Sequence, residues 1–526
     1  MKHIALICGS AALVGMSTMA LADGHEARGR DGEVKIIYWQ APSILNPFLS
    51  GGTKDVEAAS LVIEPLARYN EKGELVPWLV DSVPTVANGG VSADLTSITW
   101  NITPGIMWSD GTPFTSADVK FTYEYCTDPD GGCAQVTKFN GVSSVETPDA
   151  QTVVVNFEQQ TPFPYGPFVG GESPILQAAQ FADCVGAKAS ECTEENFNPI
   201  GTGAYVVDEF RPNDVIVLSA NDNYREAGKP AFAKITFKGG GDAAAAGRSV
   251  METGEYDYAW NLQLAPDVIA QMEAAGKGTP VAGFGPLVER IMLNHTNKAG
   301  KVTCNWVPAP AAVNSDTFDC STQDIAGANA MLDAAGIMDT DGDGVREKDG
   351  VPLRMTYQTS TNAVRQDFQA LIKQWWSEIG IDVELRNISA SVFFGGDPGS
   401  PDTFQKFYAD LEMYANTFNG TDPQSYLANL LCDKAPSPAS QWQGENISRF
   451  CSAEYDALHA QLATTADASE RASIARQLND MAVAQGAMIP LVHRGRLSAH
   501  SNTLGGVILN VWDSEIWNAA DWHRLK

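Results

Sequence analysis

Apolar and polar positions alternate with a period of two in some stretches of this chain and with a period near 3.6 in others. A mixed α/β protein is therefore predicted. Strand patterning marks VKIIYWQ after a polar leader (Asp23 to Gly32), then SITWNI, TPDAQTVVVNFE and VERIMLNHTN. YVVDEF and VIVLSAN flank the polar RPND turn and read as a hairpin. Further strands are predicted in VPLRMTYQTS, IDVELRNI and AMIPLVHRGRLSAHS. Helical spacing appears after a glycine turn at Val56, Ala59, Leu61–Ile63 and Leu66, and in ANAMLDAAGI. It is strongest at Val364, Phe368, Leu371, Ile372, Trp375 and Ile379, which places Trp375 in the core. One final helix is expected from Glu454 to about Gly486. In WSDGTPFTSADV, Asp110-Gly111 makes a turn and Ser116 is the expected cap of a helix starting near Ala117. TPFPYGPFVGG reads as loop. There are no internal repeats or long linkers, so the domains are expected to be built from interleaved segments.

At 526 residues, two or three domains are expected. A hydrophobic content of 44% is ordinary for a globular protein, so a membrane-embedded chain is not implied. The N-terminus is the exception. MKHIALICGSAALVGMSTMALA has Lys2 before a short apolar run and closes on an A-x-A site at Ala20-Leu21-Ala22, so residues 1–22 are expected to be a cleaved export signal. Ile7 before Cys8 argues against lipid attachment there. The other eight cysteines fall into four sequence-local pairs, whose simplest pairing is Cys126–Cys133, Cys184–Cys192, Cys304–Cys320 and Cys432–Cys451. Each would clip a polar loop and contribute at most about 3 kcal/mol. A metal cluster is the rival reading, but no C-x-x-C occurs. Removing the signal leaves 34 basic against 64 acidic residues, a balance of −30. Such a field repels nucleic acid and anionic membrane.

The segment NPIGTGAYVVDEFRPNDVIVLSANDNYREAGKPAFAKITFKG, from Asn198 onward, resembles the extracellular solute-binding proteins of peptide- and nickel-type ABC transporters (family 5). Ala204 stands where proline is usual. WSDGTPFTSADV, GEYDYAW and the QWWSEIGIDVEL unit extend the resemblance over nearly the whole mature chain. It implies an α/β fold of the periplasmic-binding-protein type, cluster C architecture: two lobes with hinge crossovers plus a smaller inserted domain. The expected division is 23–68, 189–286 and 498–526 for lobe I, 69–188 for the inserted domain and 287–497 for lobe II. It further implies a periplasmic protein, expected to be a monomer, that delivers a peptide or peptide-like solute to a membrane permease.

No G-x-S-x-G, H-E-x-x-H, Walker A or dinucleotide fingerprint is present, so catalysis is not expected. A secreted hydrolase is the alternative from another class, and a nickel- or haem-type binder the alternative within the family. Binding members carry a G-W-x-x-D-x-x-D-P motif whose first aspartate meets a peptide's ammonium. In YANTFNGTDPQSYL, aligning Asp422-Pro423 with the final D-P puts Asn419 at that aspartate, without its charge. A modified or cyclic peptide becomes a candidate cargo. Trp39, Trp260, Tyr414, Phe418 and Trp442 are candidate pocket walls, and Arg290, Asn294, Asn419, Asp422 and Arg449 candidate polar contacts. No cofactor is required, but Asp339, Asp341, Asp343, Val345, Glu347 and Asp349 form a loop that either takes a structural Ca²⁺ or is a plain Asp-Gly turn. Gly350 stands where a calcium loop would close on glutamate.

Overall fold

The computed structural model describes residues 27–293, 305–307, 311–318, 323–397, 399–418 and 421–525. The expected signal segment 1–22, Asn294, Asn419 and the Cys304–Cys320 pair lie outside the described residues. Two lobes share one ten-stranded mixed sheet. Its strand order is Asp382–Ile388, Arg354–Ser360, Leu411–Thr417, Gly278–Leu293, Met488–Ser501, Tyr258–Ala259, Glu33–Tyr38, Lys234–Gly239, Val215–Ala220 and Tyr205–Arg211. The two long central strands, of 16 and 14 residues, carry the chain between the lobes. They pair antiparallel, Gly278 with Ser501 at the lobe I end and Met292 with Met488 at the lobe II end. Their register slips between Gly283 and Leu287 and again between Glu289 and Arg290. Such slips bend a strand locally. The expected lobe boundaries at 286/287 and 497/498 fall inside these two strands.

The smaller domain is an antiparallel three-stranded sheet of Ser97–Asn101, Thr152–Phe157 and Val142–Asp149, with the helix Ser116–Thr127 beside it. Its buried Trp100, Val153 and Val155 belong to the same apolar core as Ile36 and Tyr205 of lobe I. Lobe II buries a separate core that includes Phe393, Phe407, Tyr455 and Leu478. Burial of apolar area therefore holds each lobe together internally.

The NPIGTGAY segment explains itself by close approach. A Cβ at Gly201 would lie 1.8 Å from the Val62 carbonyl oxygen, and one at Gly203 would lie 2.6 Å from those of Leu61 and Val62. The glycines let the Gly203 N–H donate to Val62 at 2.8 Å, and the Thr202 hydroxyl donates to Glu64 at 2.8 Å. Tyr205 then opens its strand, as the patterning predicts.

Three expectations about elements are corrected. The Ser116–Thr127 helix begins one residue early, capped by Thr115, whose N–H donates to the Asp118 carboxylate at 2.9 Å. Ser116 donates to the Asp149 carbonyl instead. The expected single C-terminal helix is two, Ala453–Thr464 and Ala468–Ala484, because Asp467 caps the second through the Ser469 and Glu470 N–H groups. The helix Ala363–Ser377 is rotated from its apolar stripe. It buries Arg365, Gln369 and Ile372, while Trp375 is 37% and Leu371 45% exposed. Arg365 turns inward because it reaches Glu289 on the neighbouring crossover strand, at 3.1 Å. Disulfides join Cys126–Cys133, Cys184–Cys192 and Cys432–Cys451.

Candidate functional site

Three adjoining cavities of about 70, 50 and 60 Å³ run along the seam between the lobes. Each has room for only a few waters, so the lobes stand closed. The middle cavity touches all three parts of the molecule: Thr53 and Glu57 of lobe I, Lys138 and Glu172 of the smaller domain, and Asn416 and Glu445 of lobe II.

The lobe I wall is a buried ion network. Arg496 donates from Nη1 to Glu57 at 2.7 Å and lies 3.9 Å from Glu515. Glu57 also accepts from the Ser514 hydroxyl at 2.7 Å and the Glu515 N–H at 2.6 Å. Glu515 accepts from the Tyr258 and Ser498 hydroxyls. Burial pushes the Glu57 carboxyl up, Arg496 opposes this and Glu515 adds to it. Every charge here has a partner, as burial requires. Beside the network Trp260 stacks on Tyr38, with ring centroids 4.5 Å apart, and walls the third cavity. Its indole N–H is buried and has no acceptor.

On the lobe II wall, Arg290 donates to the hydroxyls of Tyr426 at 3.1 Å and Tyr414 at 3.4 Å. Its guanidinium also lies over the Tyr414 and Trp306 rings, 5.1 and 5.8 Å from their centroids. Arg290 thus sits behind Tyr414, which faces the third cavity. Glu445 stands nearby, hydrogen-bonded to Asn416. Loss of water contact pushes its carboxyl up to about 7; Glu172 adds to this, and Arg290 and Lys138 oppose it.

Of the residues expected at the site, Trp260, Tyr414 and Asp422 line the cavities, with Arg290 supporting Tyr414. The Asp422 charge is already taken by Arg471 at 2.7 Å. The other described candidates sit elsewhere. Trp39 donates to the Asn261 carbonyl at 2.9 Å, in the lobe I apolar cluster, and walls a separate groove of about 260 Å³. Phe418 is fully buried in the lobe II core, edge-on to Tyr426, because β-strand alternation ends before it. Trp442 packs against Tyr408 and Lys406, away from the cavities. Arg449 holds the loop together, donating to the carbonyls of Ile447, Gln405 and Lys406. Sequence reading missed Glu57, Glu172, Glu445, Arg496 and Glu515. They are single charges in segments far apart in the chain, and no local spacing signals them.

Away from the cleft, carboxylate oxygens of Asp339, Asp341, Asp343 and Glu347 all lie within 4.8 Å of one another. Asp339 accepts from the Gly342 and Gly344 N–H groups at 2.7 and 2.9 Å, which curls the loop. Four converging oxygens suit a hard cation. Arg354, at 2.7 Å from Asp343, competes for one of them. Val345 contributes its N–H to Asp343, and Asp349 lies in the following turn, outside the group. Among the described residues, no helix is long and apolar enough to cross a membrane.

Residues 74–302 and 286–437 match the profile of the bacterial extracellular solute-binding proteins, family 5 Middle. The periplasmic murein peptide-binding protein MppA of Escherichia coli K12 is 24% identical over 487 residues, covering 80% of each chain. The nickel-binding periplasmic protein of the same organism is 26% identical over 376 residues, covering 65% of this chain and 68% of that one. The oligopeptide-binding protein AppA of Bacillus subtilis, solved with a nonapeptide, superposes with a TM-score of 0.80 at 20% identity. That match covers 95% of this chain and all of AppA. At this identity the likeness establishes the fold.

Proposed function

From the premise that the chain belongs to the bacterial extracellular solute-binding proteins, family 5, we propose that it captures a peptide or peptide-like solute for an ABC importer. The solute lies between the lobes, and their closure presents it to the membrane permease. The observation that carries this reading is the chain of cavities walled by both lobes, with the aromatic faces of Trp260 and Tyr414 along it. The cavities are smaller than a peptide, so the loaded lobes stand further apart, swung about the register slips of the crossover strands. The protein works as a periplasmic monomer, and Ca²⁺ fits the Asp339–Glu347 loop as a structural ion. The family's members are solute carriers, which favours binding without chemical conversion. A nickel complex is the weaker reading. His459 lines the first cavity, but its Nε2 is engaged with the Gln424 carbonyl at 2.9 Å.

Native mass spectrometry of the protein purified from the periplasm tests the reading. A bound organic mass in the peptide range, unchanged after hours of incubation, is expected. Release of smaller products would favour the hydrolase, and a bound nickel complex the other carrier.

A further inference from the structure

Charge pairing along the cleft is nearly complete, and the exception is informative. Lys54 pairs with Asp55, Lys138 with Glu172, Arg365 with Glu289, Arg496 with Glu57, and Asp513 with Arg68. Glu445 alone among these wall residues has only the neutral Asn416 as a partner, and forms no ion pair among the described residues. It shares the middle cavity with Glu172, which stands on the opposite side of the seam and repels it. Lys138 is committed to Glu172 at 2.7 Å, and Arg290 reaches tyrosine hydroxyls rather than the cavity. Of the carboxylates lining the middle cavity (Glu57, Glu172, Glu445 and Asp513), Glu445 is therefore the one with no cation in contact among the described residues, and Arg290 acts on it only at a distance.

We propose that the solute carries an ammonium or guanidinium group, which Glu445 of lobe II and Glu172 of the smaller domain hold between them as the lobes close. This rests on the reading of the protein as a solute-binding protein. Glu445 also lines the third cavity, with Trp260 and Tyr414 beside it. Burial, then the facing Glu172, raise the Glu445 carboxyl, and a ligand cation in contact with it would oppose both. The arrangement also discriminates against empty closure, because two carboxylates approach each other unless a cation lies between them.

The experiment uses a mixture of synthetic tripeptides at pH 8, with native mass spectrometry reading which ones the stripped protein retains. Wild type should enrich peptides bearing a cation roughly tenfold or more over peptides without one. An N-acetylated mixture separates a side-chain ammonium or guanidinium from the peptide's own amino terminus. Glu445→Gln, which keeps the side chain's shape, should lose the preference while still retaining tripeptides, and Glu172→Gln should weaken it. Equal retention of cationic, neutral and acidic peptides by wild type overturns the clamp and leaves the carrier reading standing, as does an unchanged preference in Glu445→Gln. Retention of no tripeptide at all overturns both.

Discussion

Gly201 shows what a single residue settles in this molecule. Its missing Cβ lets the 198–205 segment lie on the backbone of Leu61 and Val62, joining lobe I's first and second segments. Gly201→Ala puts a carbon 1.8 Å from the Val62 carbonyl oxygen, so backbone must shift. We expect a loss of about 2 kcal/mol or more, seen as a melting temperature several degrees lower. An unchanged melting curve would mean that the segment is free to move. This residue was legible in the sequence because its contacts are local and stereotyped. Glu57, Arg496 and Glu515 were not. Their meaning arises from a partner 439 residues away, as with Arg496 and Glu57. A lone charge in a string looks the same whether it faces water or a buried ion. Phe418 and Trp442 fail in the opposite direction. They are aromatic and near the right motif, yet one is core and the other packs on a loop.

Elements were legible where the pattern is strong, and their ends were set by capping. The hairpin Tyr205–Arg211 and Val215–Ala220 follows the alternation closely. The helix Ala363–Ser377 was found, but its facing was misread because Arg365 and Gln369, both polar, turn inward toward Glu289 and the Tyr357 carbonyl. Apolar periodicity assumes that the core is apolar, and beside a polar cleft it is not. The loop from Asp339 to Glu347 is a separable element that can be tested alone. Millimolar Ca²⁺ should raise the melting temperature of wild type by a few degrees. Asp341→Ala, which removes one of the four converging carboxylates, should abolish that rise. No shift in wild type would reduce the loop to an Asp-Gly turn between helix and strand.

At the scale of the whole molecule, separate apolar cores and a polar seam make opening inexpensive. Lobe I and the smaller domain share one core and lobe II has its own, so parting them breaks ion pairs and hydrogen bonds that water can replace. What then decides between open and closed is the electrostatics of the seam. Glu445 faces Glu172 and Lys138 from the smaller domain, with Arg290 and Asn416 on its own lobe. Closed, its carboxyl is pushed up to about 7; open, in water, it returns toward the ordinary carboxylate range. The closed state therefore binds more protons. Closure of the empty protein is favoured at low pH and weakens as pH rises through the window that ends near 7. Small-angle X-ray scattering of stripped protein should show a larger radius of gyration at pH 8 than at pH 5.5. In Glu445→Gln the difference should shrink, and the remainder reports the Glu57 network. A radius independent of pH in wild type would show that the carboxylate pair does not govern closure, and that packing alone sets the lobe equilibrium.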